Sequence, residues 1–251
     1  DTLDNPELNQ KHRDILRGVY GCLKPLNRYL KFVFMTGVSK IGKLSVFSSL
    51  NNIQDISLLP EYAAICGITE DELKCQFSDE LEEFAEKCGM TKSDAVSALR
   101  KHYDGYHFYE NTPSVYNPFS LILTLKNGVF LHYWFETGTP LFLIKYLREN
   151  KLLVNLVDVS IDKMRLYQMG NDDKNTVLLM YQTGYLTIKS FDEEFKTYRL
   201  GIPNLEVEEG FYSFLSNQFY TDAESQDSFD MGRFIRDFTT GNIPGFIERL
   251  S

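Results

Sequence analysis

Cysteine is scarce in this sequence and never paired. Four cysteines, Cys22, Cys66, Cys75 and Cys88, are spread over 251 residues, and no two form a CxxC pair. That spacing excludes a disulfide-stapled secreted domain and a thiolate zinc site. Four reduced and mostly buried thiols are expected instead. Long apolar runs are also missing: no stretch of about 18 apolar residues occurs, so no transmembrane helix is expected. The first ten residues are polar and acidic, which does not fit a secretory leader. A cytoplasmic location is the expectation. Positive charge is thin. The net charge is −9, and the densest basic cluster, Lys40 to Lys43, holds two lysines. A protein that grips phosphate backbones carries a basic patch, so direct nucleic-acid binding is disfavoured. No GxSxG elbow is present, and nucleophilic catalysis has no support.

What remains is ordinary globular material: 43% hydrophobic and 24% charged residues, with 14% aromatics. The length suits two small domains or one large one. Helical spacing of Leu16, Val19, Tyr20 and Leu23 predicts a helix over 5–26, closed by Lys24-Pro25 and Asn27. The apolar run from Lys31 through Thr36 to Gly37 reads as a strand buried on both faces, as in a parallel sheet. No second strand of that type is found. The expectation is that its neighbours lie in a segment preceding Asp1. Further helices are expected over 71–88, 91–102, 119–125, 139–150 and 172–181. Thr91 with Asp94 makes a near-capping box. A loop rich in aromatics, Gly, Asn and Pro covers 103–118. Tyr185–Ser190 and Lys196–Leu200 alternate as a hairpin around an acidic turn, and Leu205–Tyr220 reads as a helix. Helix, hairpin, helix at this spacing resembles a winged helix. A polar linker over 221–230 and a helical stretch over 231–251 follow.

The sharpest local signal is Gly37-Val-Ser-Lys-Ile-Gly42-Lys43-Leu44-Ser45. It satisfies GxxxxGK after a strand and before a helix, the context in which backbone N–H groups cradle phosphate. The magnesium-binding Ser or Thr should follow the lysine directly, and Leu44 stands there. Ser45 comes one residue late, about 100° further round the helix. Three readings stay open: a degenerate loop that binds nucleotide, a turn that uses its glycines for shape, and solvated lysines at Lys40 and Lys43. His102, Asp104 and His107 fit no zinc spacing, and no metal site is expected. Tyr103-Asp104-Gly105-Tyr106 reads as a turn with Gly105 at positive φ. Glu82, Glu83 and Glu86 read as a solvated helix face. Glu206, Glu208 and Glu209 make the first turn of 205–220 acidic. That suits a helix N-terminus and favours protein contacts over DNA.

Several segments together resemble a bacterial AAA-ATPase-like family abundant in gut Bacteroidales. They are Phe32-Val-Phe-Met-Thr-Gly-Val-Ser-Lys40, Val46 to Ser57, Tyr62 to Glu70, Tyr103 to Phe108, Val115-Tyr-Asn-Pro118, Trp134 to Gly138, Tyr181 to Thr187 and Tyr198 to Asn204. The resemblance spans about residues 5 to 220. It implies a mainly α (α+β) chain in four parts. Residues 1–67 would be the C-terminal remnant of a P-loop ATPase core and 68–150 a helical lid-like region. Residues 151–220 would be a winged-helix-like domain, and 221–251 a linker and the start of a C-terminal region. Walker A and Walker B would precede Asp1, and a PD-(D/E)XK-type nuclease domain would follow Ser251. Thr36 would occupy a sensor-1-like position, where a hydroxyl meets the γ-phosphate or the attacking water. Gly37, Lys40 and Lys43 would face the nucleotide. ATP and magnesium would belong to the intact protein, with none bound by this chain alone. The implied partners are the remaining ATPase core, the nuclease domain and further copies in a homo-oligomer, with no membrane. A non-catalytic interaction module built on the winged helix is the alternative.

Overall fold

The computed structural model describes residues 5–37, 53–138, 159–167 and 175–220. Its first element is α1 (Pro6–Gly21), started by Asn5, whose side chain accepts the Leu8 N–H, and by Pro6 at the first helical position. A short α2 (Leu23–Leu26) and a 3₁₀ turn follow. No residue of 5–37 with a described side chain is buried. The run after Lys31 is not the doubly buried strand its composition predicts. It carries neither helix nor strand, and Phe32 is 81% exposed. The physical reason is pairing: a strand without a neighbour leaves its own N–H and C=O groups unbonded, and no described residue pairs with it.

The body of the molecule starts near Leu58. Helices α3 (Glu70–Gln76), α4 (Ser78–Lys87), α5 (Lys92–Tyr103) and α6 (Pro118–Asn127) make a helical layer. The single helix expected over 71–88 is two helices, broken at Phe77, whose φ of −111° and ψ of 28° leave the helical range. Thr69 and Glu72 form a reciprocal capping box at the start of α3. Thr91 caps α5 as its sequence predicts, by accepting the Asp94 N–H. Asn117 caps α6, and Gly128 closes it in the left-handed conformation. Leu73, Leu81, Phe84, Ala95, Leu99 and Leu121 form this layer's core. Glu82, Glu83 and Glu86 face solvent. The thiols differ from expectation: Cys22, Cys66 and Cys75 are exposed, and Cys88 is half-buried at the edge of the helical core.

Next come α7 (Tyr133–Gly138), β1 (Val159–Asp162), α8 (Lys163–Tyr167), α9 (Thr176–Gln182), β2 (Thr187–Asp192), β3 (Thr197–Gly201) and α10 (Leu205–Tyr220). The strands form one antiparallel sheet in the order β1-β3-β2. The hairpin was legible in sequence and β1 was not. The first residues read as strand, Tyr185 and Leu186, instead close the turn after α9, each donating its N–H to the Met180 carbonyl. Ile161, Leu166, Met180, Leu186, Ile188, Tyr198, Leu200, Val207 and Phe211 form a second core, which Leu58 and Phe135 join from the helical side. The helices expected over 45–50 and 139–150, the start of 172–181 and everything after Tyr220 lie outside the described residues.

Candidate functional site

Of the residues singled out as nucleotide-facing, the described ones fall on the stretch 5–37, where no described side chain is buried. Thr36 and Gly37 are exposed. Lys40 and Lys43 lie outside the described residues. His102 and His107 do not converge on a metal. The His102 ring pairs Nδ1 with the Ala98 carbonyl at 2.8 Å and packs 4.3 Å from the Phe130 ring. His107 instead ties its backbone to β2, donating its N–H to Thr187 Oγ1 at 2.7 Å. Among the described residues no three His, Cys, Asp or Glu side chains are grouped as a metal site.

The structure instead gathers the motif residues into a seam between the helical layer and the sheet layer. The loop 104–117 is its spine. Tyr106 pairs with Val115, and Tyr116 pairs with Ile68, as isolated antiparallel bridges. Gly105 has φ +101°, as its turn predicts, and a Cβ there would stand 2.3 Å from the Pro203 carbonyl oxygen. Only glycine permits that approach. Tyr103 is fully buried. Its hydroxyl donates to the Leu131 carbonyl at 2.9 Å and accepts from Thr124 Oγ1 at 2.8 Å and from the Leu131 N–H at 3.1 Å. Burial pushes that hydroxyl up to about 12. Asp104 is buried too, with Oδ2 accepting from Ser114 at 2.9 Å. On the sheet side Lys189 donates to the Pro203 carbonyl at 3.2 Å, and burial holds its ammonium below the usual lysine range.

Besides the His107–Thr187 bonds and the His132–Glu209 pair, two polar contacts built on less exposed carboxylates cross the seam. The first is Glu206, at the start of α10 and 0% exposed. Its Oε1 accepts from Ser120 Oγ at 2.8 Å and from the Trp134 N–H at 2.9 Å. The side chain thus caps the N-terminus of α7 from another element by accepting its Trp134 N–H. Burial raises its pKa, against the bonds from Ser120 and Trp134. The acidic first turn of this helix is therefore not a uniform solvent face: Glu206 points inward while Glu208 and Glu209 stay exposed. Sequence reasoning missed this role. The second contact is Lys163 at the start of α8. It pairs with Glu110 at 2.7 Å, and its ammonium lies 4.5 Å from the Phe191 ring and 5.7 Å from the Tyr109 and Tyr198 rings. Tyr198 donates its hydroxyl to the same Glu110. No spacing signal marks this pair, since its members stand 53 residues apart.

Chemically the seam joins two layers. Its carboxylates and lysines are tied to backbone, hydroxyls or each other. The comparisons with known proteins agree with an ATPase-related chain. Residues 1–47 match the model of a family described as predicted AAA-ATPase, which supports an AAA-ATPase-like relationship. A protein of Azotobacter chroococcum mcd 1, named only as an uncharacterized protein in the vnfD 5′ region, is 37% identical over 212 residues. The alignment covers 82% of this chain and 38% of that relative, so the chain spans well under half of the curated relative it matches. No solved structure matches the chain. Among the described residues, no helix is long and apolar enough to cross a membrane.

Proposed function

We propose that this chain is part of an AAA-like ATPase module, supplying the sensor-bearing segment, a helical lid and a winged-helix-like domain, and that it does not hydrolyse ATP alone. One observation carries the reading. The segment that matches the ATPase family is also the one with no buried side chain among its described residues, while it displays Phe32, Val33, Phe34, Ile15 and Val19 to solvent. An apolar ribbon of this kind needs a partner surface. In this reading the partner is the remainder of the ATPase core, against which Phe32 to Thr36 completes a sheet. Among the described residues no carboxylates are grouped as a metal site, and in this reading the nucleotide would be held mainly by other parts of the protein. Thr36, Gly37, Lys40 and Lys43 are the residues that would approach it. A nuclease domain, the Bacteroidales type, a cytoplasmic setting and homo-oligomeric assembly belong to the same proposal.

Calorimetry of the chain with ATP and magnesium tests it. The expected result is no detectable heat at micromolar protein. Micromolar affinity would make Gly37 to Lys43 a working phosphate loop and remove the sensor reading of Thr36.

A second reading has its own support. The sheet order β1-β3-β2, with α8 and α9 between β1 and the hairpin, supports a winged-helix-like reading. It favours an interaction module in which α9 takes the recognition position and α10 packs beneath. Winged helices bind protein and DNA alike. A pull-down in which substitutions at the half-buried Val177, Leu179 and Gln182 of α9 leave every interaction intact would remove it.

A further inference from the structure

Glu206 is a fully buried carboxylate of the seam that is only half satisfied. Oε1 takes two bonds, from Ser120 and from the Trp134 backbone, while Oε2 is buried and makes none. Other buried polar atoms of the seam share this condition, namely Asp104 Oδ1, the Tyr106 and Tyr116 hydroxyls and Asn204 Nδ2. An ionised carboxylate is acceptor-only, whereas a protonated one adds a donor. Removing a carboxylate from water without full hydrogen bonding favours its neutral form. The charged and titratable surroundings are few. His132 lies on the segment before α7 and favours the ionised form, while Tyr106 and Tyr103 face Glu206 from the loop and from α5. On its own helix Glu208 and Glu209 are exposed, and Glu209 stands 3.1 Å from His132 Nε2.

We propose that Glu206 is a proton-operated latch between the helical layer and the sheet layer, closed most tightly when its carboxyl is neutral. The latch acts at a close contact of the layers. A Cβ on Gly210, one turn along α10, would stand 2.5 Å from the Phe135 ring, and the Trp134 N–H reaches Glu206 at 2.9 Å. A shift of α10 away from α7 would therefore unpack Phe135 and break the Trp134 bond together. This inference does not depend on the ATPase reading, since no nucleotide enters it.

The sign follows from linkage. A carboxyl whose folded pKa exceeds its unfolded value stabilises the fold fully below the unfolded value, and that stabilisation is lost as pH rises through the folded one. The experiment compares denaturant unfolding of the full chain with Glu206→Gln from pH 4 to pH 8. Emission of Trp134, the chain's single tryptophan, serves as the probe. The unfolding constant of the wild type, divided by that of Glu206→Gln, should rise about tenfold per pH unit across the window between the two pKa values. A ratio that stays flat or falls overturns the latch. His132→Gln should leave the rise in place; its disappearance in that variant would assign the titration to His132 and equally overturn the proposal. If Glu206→Gln does not fold, the wild type decides. A ¹³C carboxyl titration should show one glutamate with its midpoint above the ordinary glutamate range, moving in step with Trp134 emission. All glutamates titrating in the ordinary range would overturn it.

Discussion

Residues 5–37 and residues 58–211 differ in what holds them. The first stretch has well-formed helix starts, such as the Asn5 cap with Pro6, yet no buried side chain among those described. The second has comparable caps at Thr69, Thr91 and Asn117, and also two cores with Leu73, Leu99, Tyr103, Met180 and Val207 at 0% exposure. Local signals thus act equally well in both regions. Burial separates them: each fully buried Leu or Phe contributes about 1.5–3 kcal/mol, and capping alone contributes about 1 kcal/mol per helix. A short helix held only by its caps is marginal. The segment 5–37 is the part of this chain that depends on something else.

The largest blow to the body should come from Gly105→Ala. It places a Cβ where the Pro203 carbonyl oxygen already lies at 2.3 Å and where φ is +101°. A loss of about 3 kcal/mol or more is expected from the clash and the strained backbone, read by chemical denaturation. Tyr103→Phe comes next. It keeps the ring but strands the Leu131 carbonyl, the Leu131 N–H and the Thr124 hydroxyl, and about 2 kcal/mol should be lost.

Lys163→Met should cost about 1 kcal/mol at neutral pH. Burial raises the Glu110 pKa, but the bonds from Lys163 and Tyr198 outweigh it and hold the carboxyl below the usual range. The contribution of Glu110 is therefore present above its unfolded pKa and fades as pH falls through the folded one. The cost of Lys163→Met should fade with it, which stability curves at pH 7 and pH 3 would show. The smallest effect belongs to the first region: Phe32→Ser should change stability by less than about 0.5 kcal/mol, as at exposed positions generally. A loss several times that size would mean Phe32 belongs to a core of this chain.

Sequence patterns read some parts well and others badly for physical reasons. The helices α5 and α10, the hairpin and the positive φ of Gly105 were legible because caps, alternation and glycine act over a few residues. The break at Phe77 was not, because acidic and apolar residues run through it with no Gly or Pro to mark it. Strand β1 was hidden because only four residues long; its order comes from pairing with β3, about 40 residues away. The run at Phe32 misled because composition reports a tendency to be buried, not the presence of something to bury against. The site was the least legible. Glu206 read as one acid of a helix start, and only the fold shows that Ser120 and Trp134, 86 and 72 residues distant, close on it.

The account rests on the independence of the body from the first region, and a deletion tests that most directly. Thermal unfolding of the chain lacking residues 1–37 should follow that of the full chain, with one cooperative transition and a midpoint within about 2 °C, which for a body of this size corresponds to well under 1 kcal/mol. A collapse of the transition, or a fall of ten degrees or more, would show that residues 5–37 are built into the core of this chain. That result would contradict their assignment to a surface completed by another part of an ATPase.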